Sequence, residues 1–204
     1  PFVERLPAQR SSANRARGTL ETKSVNVTRE VYLDMLLNEL IPALVAKFPA
    51  ADLTKPIYVQ QDNARPHIVP HDPDFLAAAA NQGITLILNN QAANSPDQNV
   101  NDLGFFNAIQ CLQQEESASS VDELIEHVRA AYEAYNPRTL NKVWLTHQQC
   151  MIKCMEERGS NKYKLPHMRK GALEREGLLP TSLHIPIELV RQTQALVDAA
   201  DYEN

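Results

Sequence analysis

Two short apolar runs, "KPIYVQQD" over 55–62 and "ITLILN" over 84–89, flank the segment "HDPDFLAAAANQG" over 71–83, and this triplet constrains the fold more than any other feature. Each run is rich in β-formers and bounded by proline, glycine or a polar turn, the pattern of a buried strand. Between them Asp72 stands as an N-cap, Pro73 at the first helical position and Gly83 as a stop, so the connection reads as a helix. Ahead of the triplet, "VNVTREVYLDMLLNELIPALVAKFP" puts Val31, Met35, Leu36, Leu40, Leu44 and Val45 on one stripe at helical spacing, with Thr28 as N-cap. The order helix, strand, helix, strand predicts neighbouring parallel strands joined by a crossover, an α/β core.

The rest of the chain reads as helical. "LGFFNAIQCLQQ" is followed by "SSVDELIEHVRAAYEAYN", with Val121, Leu124, Ile125, Val128, Tyr132 and Tyr135 in register. "TLNKVWLTHQQCMIKCMEERG" closes on Gly159, and a last helix is expected from Ile187 to about Ala200. Trp144, Met151 and Met155 lie at helical spacing and read as core. There is no internal repeat.

At 204 residues one globular domain is expected. No apolar run reaches the roughly 20 residues of a membrane span. The start "PFVERLPAQR" lacks the apolar core of a signal peptide, so an intracellular protein is expected and "NVT" at Asn26 carries no glycosylation reading. Cys111, Cys150 and Cys154 are too few for a disulfide framework, and no further ligand completes a zinc site, which leaves buried structural thiols as the expectation.

A net charge of −5 excludes nucleic-acid binding through bulk charge alone. Charge is unevenly spread, however. Between Pro1 and Asn26, Arg5, Arg10, Arg15, Arg17 and Lys23 stand against Glu4 and Glu21, a local net of +3. That stretch is either a solvated arm or a phosphate-contacting strand and loop. Lys162, Lys164, Arg169 and Lys170 form a second basic segment.

Two carboxylates stand out. Asp62 ends the first strand, and in parallel α/β sheets functional groups collect at the carboxyl ends of strands. Asp102 precedes the helix expected from Leu103, where the helix dipole favours a carboxylate. Taken singly, Asp62 reads as a turn residue and Asp102 as an N-cap. Together they read as oxygen ligands for a hard divalent cation, Mg²⁺ or Mn²⁺.

"QQDNARPH" followed by "NSPDQNVNDLGFF" resembles the second and third acidic motifs of mariner-type transposases of the DDE/D superfamily, whose catalytic core is ribonuclease H-like. The 39 residues between Asp62 and Asp102 resemble the spacing of the DD39D branch known from plant and oomycete elements. "PFVERLPAQRSSANRARGTLETK", "LTHQQCMIKCMEERGSNKYKLPHM" and "GLLP" also look like that branch. The resemblance implies that Asp62 and Asp102 are catalytic metal ligands, with Asn63 and His67 orienting the carboxylate or touching DNA phosphate. It passes over Asp97 in favour of the acidic residue five positions later. It implies residues 1–118 as part of the core and residues 119–204 as a helical extension. It further implies Mg²⁺ or Mn²⁺ as cofactor, DNA as substrate, a possible homodimer, no membrane partner, and a nuclear or cytoplasmic location.

The chain departs from the family in having no "DEKWF"-like motif for the first catalytic aspartate and no helix-turn-helix region. Gln98 and Asn101 also stand where the family usually has Leu or Pro. Two readings follow: a DNA strand-cleaving and strand-transferring enzyme part that is inactive without its third carboxylate, or a transposase-derived module that binds DNA or protein without catalysis. In either, Arg5, Arg10, Arg15, Arg17, Lys162, Lys164, Arg169 and Lys170 are the expected DNA contacts.

Overall fold

The computed structural model describes residues 2–13, 15–114, 117–164 and 167–202. Helix makes up about 51% of the chain and the named strands form two separate two-stranded sheets, so the chain is mixed α/β. It divides into two compact units: Pro1–Ala93 with Ser117–His127, and Asn94–Glu116 with Val128–Asn204.

In the first unit, β1 (Val3–Pro7) and β2 (Leu20–Ser24) pair antiparallel from Val3↔Ser24 to Pro7↔Leu20. The Ala8 N–H donates to Thr19 O at 2.8 Å and the Gly18 N–H to Ala8 O at 2.9 Å, with Gly18 at φ +90°. Glycine adopts that conformation without a Cβ penalty. The basic stretch is therefore a strand and loop rather than an unstructured arm.

Thr28 caps α1 (Arg29–Met35), its Oγ1 accepting the Val31 N–H at 3.4 Å. The helix then widens into a π turn over Leu36–Leu40 before continuing as α2 (Ile41–Lys47). Pro42 is the physical cause: it has no N–H for the carbonyl four residues back, and its ring would press on that carbonyl. The wider turn, in which the Ile41 N–H reaches Leu36 O, makes room. It also turns Ile41, which lies off the expected stripe, into the core at 1% exposure.

β3 (Ile57–Gln61) and β4 (Leu86–Asn90) pair in parallel, Ile57↔Leu86 through Gln61↔Asn90, as the order of elements predicts. The connection α3 (Pro73–Asn81) has its expected cap, Asp72 Oδ1 accepting the N–H groups of Asp74 at 3.2 Å and Phe75 at 3.0 Å. The strands are buried on one face only. Ile57 and Gln61 point into the core while Tyr58 is 66% exposed, because a sheet of two strands has helices packed on a single side. Phe75, fully buried, packs with Leu36, Ile41, Ile57, Ile68, Ala79, Ile84, Leu86 and Leu88.

The second unit is almost wholly helical. A 3₁₀ turn (Pro96–Gln98) and a π turn (Asn101–Phe105) lead into α4 (Phe106–Gln113). Then follow α5 (Val121–Ala134), whose residues to His127 group with the first unit, α6 (Pro137–Glu156), α7 (Lys170–Arg175) and α8 (Ile187–Tyr202). Asn136 caps α6 by accepting the Arg138 N–H at 2.9 Å, and Gly159, at φ +88°, stops it as expected. Leu145 and Cys150 are its buried residues. Trp144, at 46% exposure, and Met151 are exposed rather than core, since the buried stripe of α6 runs through Leu145 instead. The expected α5 stripe likewise leaves Val121, Leu124, Val128 and Tyr132 exposed. All cysteines are free; Cys150 is buried, Cys154 half-buried and Cys111 exposed. Among the described residues no helix is long and apolar enough to cross a membrane.

Two substitutions on α3 separate cap from core. Asp72→Ala should cost about 1 kcal/mol through the lost cap, and Phe75→Ala about 3–5 kcal/mol through lost burial and the cavity left behind. Urea denaturation of both variants measures this; equal losses would mean that Phe75 does not anchor the core.

Candidate active site

Asp62 leaves the carboxyl end of β3, where the ladder is pinned by side chains as well as backbone. The buried Gln61 amide donates to Ile68 O at 2.6 Å and to Asn90 Oδ1 at 2.8 Å. The Gln91 N–H donates to Gln61 O at 2.7 Å and the Asn63 amide to Gln91 O at 2.8 Å. Asn63 thus ties the turn after β3 to the turn after β4 through one of its amide hydrogens.

The Asp62 side chain is half-exposed, and its two oxygens are inequivalent. Oδ1 accepts the Ala64 N–H at 2.9 Å and lies 2.9 Å from His67 Nδ1. That same nitrogen is 2.7 Å from Asp62 O. Both oxygens are acceptors, so Nδ1 carries the proton and His67 presents Nε2 as its remaining nitrogen. The His67 ring lies against Tyr32, centroids 4.4 Å apart and planes tilted by 31°. Burial first, and then the Asp62 charge, raise the Tyr32 phenol above its ordinary pKa. Oδ2 of Asp62 has no hydrogen-bond partner among the described residues.

Asp102 belongs to the second unit and sits inside the π turn. It is not the N-cap. Asn99, extended at φ −121° and ψ 113°, is: its backbone O accepts the Leu103 N–H at 2.8 Å and its Oδ1 the Asn101 N–H at 3.0 Å. The Asn99 amide in turn donates to Asp102 Oδ2 at 2.9 Å, a reciprocal arrangement like a capping box. The spacing of Asn99 and Asp102 was the sequence signal for it. Asp102 is exposed, and its Oδ1 carries no hydrogen bond among the described residues.

The turn bearing Asp102 is clamped within its unit. The Tyr163 hydroxyl donates to Asp97, the Asn161 amide to Asn94 O at 3.1 Å, and His147 Nε2–H to Gln98 O at 3.0 Å. Gly104 lies so close to α6 that a Cβ there would meet Val143 Cγ2 at 3.2 Å. Sequence reasoning missed these clamps because the partners are 49 to 67 residues apart.

The other sequence-derived residues are dispersed. Arg5 pairs with Asp122 at 3.9 Å and Arg15 with Glu21, whereas the exposed Arg10 and Arg17 have no carboxylate partner among the described residues. Lys162 and Lys164 are exposed. The Lys170 ammonium is half-buried, donating to Lys142 O at 2.8 Å and to Thr146 Oγ1. Arg169 is exposed and left-handed at φ +50°.

As a donor set, hard carboxylate oxygens suit Mg²⁺ or Mn²⁺. Asp62 and Asp102 each present one unbonded oxygen. Among the described residues no three His, Cys, Asp or Glu side chains gather into a metal-holding group.

Burial first, then the Asp97 hydrogen bond and charge, push the Tyr163 phenol far above its ordinary pKa of about 10. A raised folded-state pKa means that this contribution is intact below pH 10 and is lost as pH rises beyond it. Stability of the wild type should therefore fall above about pH 10, and Tyr163→Phe should fall less steeply, by up to one proton in slope. At neutral pH the variant should be less stable by about 1–3 kcal/mol, because Asp97 loses its donor. Denaturation as a function of pH checks both; an unchanged slope would break the assigned link.

No family model, no curated protein and no solved structure matches the chain.

Proposed function

We propose that this chain carries two of the metal-binding carboxylates, Asp62 and Asp102, of a mariner-type DDE/D enzyme that cleaves and joins DNA strands. The fold that goes with this reading is a ribonuclease H-like core within residues 1–118, followed by a helical extension over residues 119–204. The observation that carries it is Asp62: a carboxylate at the carboxyl end of a parallel strand, one oxygen held by Ala64 and His67 and the other unbonded. The motif spacing supplies its partner.

A pair of Mg²⁺ or Mn²⁺ ions, when bound, would activate a water or 3′-hydroxyl and stabilise the leaving oxygen of a phosphodiester. The chain's own residues have narrower tasks. Asp62 presents Oδ2 as a ligand, and His67 positions it through Oδ1. Asp102 presents Oδ1, with Asn99 holding Oδ2. Asn63 fixes the turn from which Asp62 projects. The cations Arg10, Arg17, Lys162 and Lys164 are the exposed candidates for DNA phosphate. The family's first carboxylate has no counterpart in residues 1–204, so strand cleavage is expected only of a protein that also carries it; the family's dimeric habit makes a second copy the expected partner.

Mn²⁺ and Mg²⁺ titration by calorimetry tests the assignment. Asp62→Asn and Asp102→Asn should each weaken binding at least tenfold relative to wild type. A folded wild type that binds neither ion would sink the enzyme reading. That result would favour the non-catalytic module, for which Gln98 and Asn101, polar residues flanking the acidic turn, already speak.

A further inference from the structure

The second unit contains a depression of about 480 Å³ bordered by Lys142, His167, Arg169, Lys170 and Arg175 together with the small residues Gly171 and Ala172. We propose that this depression is a phosphate-binding subsite, and that the phosphate it takes is a backbone phosphodiester of a polynucleotide.

The first argument is unmatched charge. Four cations border the depression, and the neighbouring carboxylate, Glu174, is already paired with Lys142. Neither the Arg169 nor the Arg175 guanidinium has a carboxylate partner among the described residues. Lys170 spends two donors on Lys142 O and Thr146 Oγ1 and keeps a third. Burial above all, with a smaller push from the Lys142 charge and against the opposing influence of Cys150, holds the Lys170 ammonium below its ordinary pKa.

The second argument is geometry. Arg169 is held left-handed at φ +50° and ψ 38°. For a residue with a Cβ this conformation is disfavoured. Its N–H donates to His167 Nδ1 at 3.3 Å, so His167, when neutral, carries its proton on Nε2 and offers a further donor. A guanidinium fork suits the paired oxygens of a phosphate better than a point charge does.

The third argument concerns the shape of the ligand. From Ser160 to Arg175 the chain holds five cations, Lys162, Lys164, Arg169, Lys170 and Arg175, against Glu174 alone, a local net of +4 in a chain of net −5. Positive charge strung along a segment suits a linear polyanion better than an isolated small ion. The inference rests on the proposed DNA reading only for the identity of that polyanion.

The test uses the whole chain and a fluorescein-labelled 20-base-pair duplex of arbitrary sequence, with anisotropy read at 50 and 200 mM NaCl. In Arg169→Asn/Arg175→Gln, the asparagine tolerates the left-handed backbone and circular dichroism verifies folding. This variant should bind at least tenfold more weakly at low salt. Its salt slope should fall by about 2, the equivalent of two lost phosphate contacts. Arg191→Gln on the exposed face of α8 should leave both values unchanged. An unaltered slope in the folded double variant, or an equal effect from Arg191→Gln, would overturn the subsite. If inorganic phosphate binds the wild type and not the double variant while the duplex fails to bind, the ligand is a small phosphate and the polynucleotide is overturned. The anisotropy is read with a chelator present and involves no metal, so failure of the metal assignment, which calorimetry reads, would show separately.

Discussion

A parallel ladder of two five-residue strands cannot stand by itself, and the first unit is arranged around covering one of its faces. Phe75 from the crossover helix and Leu36 and Ile41 from the preceding helix do this, and they do so only because the latter helix widens at Leu36–Leu40. Pro42 forces the widening; the widening turns Ile41 inward. With one face sealed, the strand ends are fixed, and the Gln61, Asn63, Asn90 and Gln91 hydrogen bonds lock the two turns where the ladder finishes. The placement of Asp62 follows from this packing.

Much of the local structure was legible in the chain because it depends on neighbours in sequence. Thr28, Asp72 and Gly83 mark helix ends through contacts within three residues, and they stand where the pattern put them. The parallel pairing of β3 and β4 also followed, since a helix is the economical way to join parallel strands. What could not be read was which face of each element would be covered. Tyr58, Trp144 and four of the six residues of the α5 stripe have the composition of core, yet they are exposed, because burial is decided by which elements meet and not by the residue. The register shift at the Leu36–Leu40 π turn escaped for a related reason: helical periodicity presumes a constant turn, and Pro42 breaks that constancy.

The two π turns show different origins for the same geometry. At Leu36–Leu40 a proline supplies the cause. At Asn101–Phe105 there is no proline; instead Gly104 lies against Val143, so that the backbone itself approaches α6, and Asn99 organises the entry through the Asn101 N–H and the Asp102 carboxylate. π turns recur at functional sites. Here the consequence is specific: Asp102 is carried on a turn held at both its cap and its base, with one oxygen oriented and one unbonded.

That distinction bears on which acidic residue of "SPDQNVND" can act as a ligand. Asp97 and Asp102 are five positions apart and chemically equivalent in the sequence. In the folded unit Asp97 is half-buried and accepts the Tyr163 hydroxyl, a bond that burial strengthens and that fastens the 94–98 turn to the 160–163 segment. The Tyr163 bond engages Oδ2 alone, so the difference is one of access: Asp97 is half-buried against the 160–163 segment, whereas Asp102 is exposed. Asp102 is bound only by the amide of Asn99, three residues earlier, which orients one oxygen without occupying the other. Of the pair, Asp102 is the more accessible to a ligand, so the environment separates two carboxylates that composition cannot.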